Sequence, residues 1–311
     1  MSVVPMSAAV ALVVAVVLCL GIASQICLAS AGAEANASGA LHVCSKFTSM
    51  PELVNQTERL LKPFYLHVPK CGSTFAAVIT EVHCPWVKLE PPVLRPPSDK
   101  QCKKATTRFM GGHSGLVERH TSSGVTILRD PVERVVSGFM HNFHWCPHIG
   151  KRYLGDGFSF ARPAIHSREF WKDKVGNLTL VREYAECTRG MATLMLNGLD
   201  RRTQPFRQPT ASETRHAVQT ILSFAFVGLQ EEWDETVCLY RAMFGGHNMS
   251  SLPFASARKS PLPGLKGQVR ESLRAIDWLD EDEWLVYDAA RNRFKQDKKR
   301  YLSGGDGTSP Q

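Results

Sequence analysis

No Asp, Glu, Lys or Arg precedes Glu34, so the N-terminus lacks the positively charged leader that opens a typical secretory signal. The chain also lacks the G-x-x-x-x-G-K-S/T pattern of a nucleoside-triphosphatase loop, which disfavours an ATPase or GTPase. There is no internal repeat. With 43% hydrophobic residues the chain is neither collagen-like nor too poor in apolar side chains to fold. Its 311 residues allow one large or two small domains.

The missing charge coincides with a long apolar run. Ala8 to Ala23 is unbroken, and Val3 to Ala31 supplies the roughly 20 apolar residues of a bilayer span. Ala29, Ser30 and Ala31 offer a cleavage site. Residues 1–31 therefore read as a signal-anchor or a cleaved signal peptide, with a buried N-terminal core helix as the bland alternative. The first two send the remainder into the secretory lumen. Two features agree: sequons at Asn36, Asn55, Asn177 and Asn248, and a cysteine-rich remainder. Cys19 and Cys27 lie in the leader, leaving Cys44, Cys71, Cys84, Cys102, Cys146, Cys187 and Cys238. Seven is odd, so at least one thiol is free or intermolecular. All of the +8 formal charge falls after the leader and favours a polyanionic partner: nucleic acid, anionic membrane, nucleotide or acidic glycan.

Residues 32–60 read as a polar stem, 61–303 as one domain and 304–311 as a flexible tail. Within the domain, a buried strand at Phe64 to Val68 is stopped by Pro69, a small-residue loop follows through Thr74, and Phe75 to Val82 has helical spacing. Pro85 to Lys104, rich in proline and basic residues, wraps the surface. A second strand, Val125 to Leu128, leads into Arg129-Asp130-Pro131-Val132-Glu133. Asp130 is an N-cap, Pro131 suits the first helical position and Glu133 completes a capping box, predicting a helix to about Phe143. A third unit pairs a strand at Phe224 to Gly228 with a helix from Glu231 to Phe244, ended by two glycines. Repeated strand-helix units predict an α/β fold with a parallel sheet flanked by helices. Trp145 to Thr214 contains one predicted helix, Leu180 to Leu196. A last helix, Asp280 to Tyr301, starts acidic and ends basic, matching its dipole.

Chemistry concentrates at two strand ends. Lys, Gly, Ser and Thr between a strand and a helix suit a phosphate, because small residues let backbone N–H groups approach and the helix terminus adds positive charge. An ordinary tight turn with a surface lysine is the alternative. Arg129 at the end of the second strand and Ser137 two turns along the next helix are spaced to grip a second phosphate, beyond the carboxyl ends of the strands. Arg134 either assists or forms a surface salt bridge. The two grips together suit a nucleotide with phosphates at both ends.

HVPKCGSTF at His67 to Phe75 and LRDPVERVVSGF at Leu128 to Phe139 resemble the carbohydrate sulfotransferases of the Golgi, especially the heparan sulfate 2-O and uronyl 2-O branch and the related 6-O enzymes. GGHSG at Gly111 to Gly115, FAFVGLQEEWDETVCLY at Phe224 to Tyr240 and YDAARNRF at Tyr287 to Phe294 extend the resemblance across Phe64 to Tyr301. It implies the P-loop-like sulfotransferase fold and 3′-phosphoadenosine-5′-phosphosulfate (PAPS) as co-substrate, with no metal. Lys70 would stabilise the leaving phosphate, with Cys71, Gly72, Ser73, Thr74 and Phe75 around the 5′ side and Arg129 and Ser137 at the 3′-phosphate. His113 would be the base for the acceptor hydroxyl. Glu118 and His120 are fallback bases. Arg258 and Lys259 would lie over the nucleotide, with a solvated charge cluster as the alternative, and Arg201, Arg202 and Arg207, which no spacing rule selects, are candidates to meet an acidic glycan. Cys71 is expected to be the free thiol, leaving three bridges.

The resemblance also implies a Golgi membrane protein with a luminal catalytic domain, or a secreted one after cleavage. It would anchor through its N-terminus, with no nucleic-acid partner expected. The alternatives are a tyrosine or small-alcohol sulfotransferase, or a noncatalytic heparin-binding protein of the same fold.

Overall fold

The computed structural model describes residues 63–84, 113–155, 168–199, 207–245 and 263–302. The expected leader, stem and tail, the Pro85 to Lys104 stretch, three of the four sequons, Cys44, Cys102, Arg201, Arg202, Arg258 and Lys259 lie outside them. No helix among the described residues is long and apolar enough to cross a membrane.

The described chain is mostly helical around a small parallel sheet. Its elements are β1 (Phe64–Leu66), α1 (Phe75–His83), β2 (Gly124–Leu128), α2 (Pro131–Phe139), α3 (Pro147–Leu154), α4 (Arg168–Val175), α5 (Leu178–Thr188), α6 (Met191–Leu196), α7 (Ala211–Ser223), β3 (Phe226–Leu229), α8 (Trp233–Phe244), α9 (Pro263–Ala275) and α10 (Glu281–Tyr301). A 3-10 turn, Glu118–Ser123, precedes β2. The strands run in the order β1-β2-β3, with Tyr65 opposite Val125 and Thr126 opposite Val227. Every strand residue is buried, as expected where helices cover a parallel sheet. Thr126 is tolerated inside because its hydroxyl donates to the Leu66 carbonyl at 2.9 Å.

Two apolar clusters divide the interior. One joins the sheet to α1, α6, α7, α8 and α10 through Phe75, Ile127, Phe226, Tyr240 and Phe294. The other gathers Val135 and Phe139 of α2 with Phe143, Trp171, Tyr184 and Val269. α2 belongs to the second cluster yet is tied to the first by a buried ion pair. Arg134, 2% exposed, donates to both carboxylate oxygens of Glu283 on α10, with Nη2 to Oε2 at 2.8 Å, and to the Thr188 carbonyl at 2.9 Å. Arg134 is therefore an interior anchor, not a surface salt bridge. Removing one partner of such a pair leaves a buried charge uncompensated.

Several boundaries differ from expectation for identifiable reasons. α2 ends at Phe139 rather than Phe143, because Asn142 and Phe143 turn left-handed, with φ of 57° and 52°. The single helix expected over Leu180 to Leu196 is two, broken where Gly190 takes φ 62°. The region from Trp145 to Thr214 is more helical than predicted, carrying α3, α4 and the start of α7 as well. β3 starts at Phe226, and α8 at Trp233, because Gln230 still donates to the Leu128 carbonyl at 2.8 Å. The capping box of α2 is half formed. Asp130 accepts from the Glu133 N–H at 3.0 Å, but the Asp130 N–H goes to Glu231 and the Glu133 carboxylate turns to Arg270. A complete box stands instead at the start of α7, between Thr210 and Glu213. α10 behaves as read, with Asp280 as its N-cap, Glu281, Asp282 and Glu283 in its first turn and Lys298, Lys299 and Arg300 in its last.

Cys146 and Cys187 are bridged, Cys84 and Cys238 are also in disulfides, and Cys71 is the free cysteine among the described residues.

Candidate functional site

The loop between β1 and α1 is built to expose its own amides. β1 ends at Leu66, short of the expected Val68, and after Pro69 both Lys70 and Gly72 adopt left-handed conformations with φ 67°. The turn uses the N–H groups of Cys71 and Phe75, which donate to the carbonyls of Val68 (3.1 Å) and Gly72 (2.9 Å). Those of Gly72, Ser73 and Thr74 have no backbone acceptor among the described residues. Thr74, the N-cap of α1, makes no side-chain cap, and the first turn closes on the loop itself, with the Ala77 N–H donating to the Thr74 carbonyl at 3.0 Å. A Cβ on Gly72 would lie 2.8 Å from Gln230 Oε1 and 3.1 Å from both Ile127 and Trp233. The loop thus needs glycine for its conformation and for its close approach to Gln230.

Arg129 leaves the end of β2 and reaches the same loop, its Nη1 donating to the Lys70 carbonyl at 3.4 Å. Its guanidinium lies 3.7 Å from Glu133 and from Glu231, and both carboxylates have nearer partners. Glu133 is held by Arg270, with Nη2 to Oε2 at 2.9 Å, which pulls its carboxyl below the usual range. Glu231 accepts from Tyr287 and the Asp130 N–H, both at 3.2 Å, and burial raises its pKa. Arg129 Nε is buried with no hydrogen-bond partner in the described structure, so this cation has donor capacity to spare.

Lys70, Gly72, Ser73 and Thr74 share one cleft with Arg129 and Ser137, around a cavity of about 140 Å³. His113 enters it from the segment before β2, 46 residues from His67 in sequence. Its Nδ1 lies 3.0 Å from the His67 carbonyl oxygen. A carbonyl only accepts, so Nδ1 carries a proton, and in the neutral ring Nε2 is the nitrogen that holds the lone pair. The ring packs 4.5 Å from His67, 5.7 Å from His144 and 4.8 Å from Trp145.

Other predicted residues fall elsewhere. Cys71 is 1% exposed behind the loop, and burial pushes its thiol up to about 12, which makes it a protonated spectator. Phe75 is wholly buried, its ring 5.6 Å from Phe226 and 5.1 Å from Tyr240. Glu118 and His120 lie on the 3-10 turn, Glu118 exposed and His120 stacked 4.9 Å from Phe64, and neither lines the cleft. Arg207 is paired with Glu213 at the start of α7.

The structure also brings in residues the sequence reading missed. His67, His141, His144 and Gln230 line the cleft. Gln230 Oε1 is buried without a hydrogen-bond partner, and the amide can present either its oxygen or its NH2 to the loop. Beside Arg129 lies half-buried Lys266 of α9, whose pKa is lowered by burial and by the arginine. The i, i+4 spacing of Lys266 and Arg270 was the available signal. Chemically, the loop end of the cleft offers cations, amides and hydroxyls, all donors, and the far wall offers imidazoles. Among the described residues no group of three or more His, Cys, Asp or Glu side chains is placed to hold a metal ion.

Comparison with protein-family models, with curated proteins and with solved structures finds no match to this chain.

Proposed function

We propose that the chain is a PAPS-dependent sulfotransferase of P-loop-like α/β fold that transfers a sulfuryl group to a glycan hydroxyl. The observation that supports this is the meeting, in one cleft, of the Lys70 loop, the Arg129 and Ser137 pair, and His113, whose Nδ1 meets the His67 carbonyl. The residues present fit a doubly anionic donor: among the described residues the N–H groups of Gly72, Ser73 and Thr74 have no backbone acceptor, Gly72 has no side chain to fill the floor of the loop, and Gln230 Oε1 has no hydrogen-bond partner.

Bound PAPS would supply a sulfuryl group on a phosphate leaving group. Lys70 and the amides of Gly72, Ser73 and Thr74 hold that phosphate and stabilise the charge that grows on it. Arg129 and Ser137 fix the second phosphate and set the distance along the cleft. His113 Nε2 takes the hydroxyl proton as the acceptor oxygen bonds to sulfur and the sulfur–phosphate oxygen bond breaks. The proton ends on the imidazole and the electron pair on the phosphate, so no metal or further reactant is required. The cysteine bridges and the apolar leader support a secretory, Golgi-type address, and the +8 charge supports an acidic glycan as acceptor.

The test is sulfate transfer from radiolabelled PAPS across desulfated glycans, tyrosine peptides and small alcohols, with adenosine 3′,5′-bisphosphate binding measured in parallel. Lys70→Ala is expected to cut turnover roughly 100- to 1,000-fold. His113→Ala is expected to cut it roughly 100- to 10,000-fold with bisphosphate binding kept. Retained turnover in Lys70→Ala refutes the mechanism, and bisphosphate binding without transfer to any acceptor favours a noncatalytic glycan-binding protein.

A further inference from the structure

The cation at the end of β2 stands among acids. Glu133 and Glu231 each approach the Arg129 guanidinium to 3.7 Å, and the arginine side chain is only 17% exposed. One cation against two carboxylates gives the wrong net sign for a phosphate. A carboxylate seated on the guanidinium fork would also take the paired donors that a phosphate needs. Arg129 can therefore grip an anion only if both acids are engaged elsewhere.

Both acids are so engaged. Glu231 accepts from the Tyr287 hydroxyl and from the Asp130 N–H, each at 3.2 Å. Glu133 is held from α9, where Arg270 Nη2 donates to Oε2 at 2.9 Å and Arg270 Nε donates to Oε1. Two charged bonds to one carboxylate fix its position, and they pull the carboxyl below the usual range, so it stays ionised. Arg129 is left at 3.7 Å from Glu133, beyond hydrogen-bond range, with its Nε unbonded in the described structure. Glu133 is thus bonded to an arginine 137 residues away rather than to the one four residues away. Neither Arg270 nor either carboxylate lines the cavity that Arg129 and Ser137 share with the Lys70 loop.

We propose that Arg270 is a positioning residue for the second phosphate of the donor: its two-pronged hold on Glu133 keeps that carboxylate off Arg129, whose donors stay available to an anion in the cleft. This rests on the transfer reading above, in which Arg129 and Ser137 take that phosphate. Arg270 acts through Glu133 and does not touch the ligand.

The test measures the Kd of the full-length protein for adenosine 3′,5′-bisphosphate and for adenosine 5′-phosphate, which lacks the second phosphate. Arg270→Met is expected to raise the bisphosphate Kd about 10-fold, the size of one charged hydrogen bond passed to Arg129, and to change the monophosphate Kd less than about 2-fold. Glu133→Gln alone, and Arg270→Met/Glu133→Gln, are both expected to stay within about 2-fold of wild type, so the two substitutions do not add. Arg270→Lys, which keeps a cation on α9 without the planar fork, should fall between wild type and Arg270→Met. An unchanged bisphosphate Kd in Arg270→Met, equal weakening of both nucleotides, or effects that simply add each overturns the positioning role. A double variant as weak as Arg270→Met overturns it too, by making Arg270 a direct phosphate ligand. Wild-type protein that binds both nucleotides equally, with no loss in Arg129→Ala, would instead sink the transfer reading beneath it.

Discussion

Gly138 lies in the last turn of α2, where alanine would ordinarily stabilise the helix by up to about 1 kcal/mol. The structure reverses that sign. A Cβ at this position would sit 2.1 Å from the Tyr184 hydroxyl oxygen and 3.3 Å from its Cζ, with Lys70 Cγ at 3.6 Å. Tyr184 cannot simply withdraw. It is 1% exposed, its ring lies 5.6 Å from Phe139 and 5.9 Å from Phe143, and its hydroxyl holds the His144 carbonyl. Overpacking of this kind costs about 1–3 kcal/mol. Loss of the hydrogen bond adds about 1 kcal/mol. Set against the helix gain, Gly138→Ala should destabilise by roughly 1–3 kcal/mol, a fall in Tm of roughly 3–10 °C for a domain of this size.

The cause can be isolated with Tyr184→Phe. That substitution removes the one atom at 2.1 Å, so the double variant should lose less than the two single variants together, with a coupling of roughly 1–2 kcal/mol. Equilibrium urea unfolding of the four proteins under non-reducing conditions measures the cycle. A stabilised Gly138→Ala variant, or strict additivity, would refute the claim that α2 must be bare at this position to let Tyr184 hold the histidine-bearing segment.

Arg134→Met should cost about 3–5 kcal/mol by leaving Glu283 buried and unpaired, and the double variant Arg134→Met/Glu283→Leu should regain most of it. A single variant as stable as wild type would remove the pair from the account of how α2 is anchored. Cys146 and Cys187 close a 41-residue separation, so Cys146→Ser/Cys187→Ser should lower stability by about 4 kcal/mol if the chain-entropy treatment holds. Burial lowers the pKa of His83 to about 4, whereas in the unfolded chain it titrates at its ordinary value near 6.5. The unfolded state therefore binds the extra proton between these values, and the contribution is full above pH 6.5 and is lost as pH falls toward 4. His83→Gln should flatten the stability profile in that window, and an unchanged slope would contradict the assignment.

The strand-loop-helix units were readable because their punctuation is local. The first strand ends at Leu66, within a few residues of Pro69, Asp130 and Pro131 start one helix, and Gly245 ends another, so each signal acts over a short range. Lys70, Arg129 and Ser137 were legible for the same reason, lying at the ends of elements the apolar pattern already marked. The capping box at Asp130 was half right because long-range partners, Glu231 and Arg270, outcompeted the local one. His141 and His144 were missed because helical spacing carried α2 on to Phe143, and only the burial of that ring forces the left-handed turn that reverses them. The string HNFHWC held a faint signal, two histidines astride an aromatic residue next to a cysteine.

By itself, the sequence determined which segments form the three strands, which loop places small side chains between a strand and a helix, and where the apolar surface of the parallel sheet lies. These depend on backbone preference and periodicity, which act over a few residues. Tertiary structure alone decided that Arg134 is an interior anchor, that His113 Nδ1 meets the His67 carbonyl, that Phe75 belongs to the core, and that a second pair of histidines lines the cleft with Lys70. Each of these is set by burial and by partners between 46 and 149 residues away or by packing across the two clusters, distances over which local pattern carries no information.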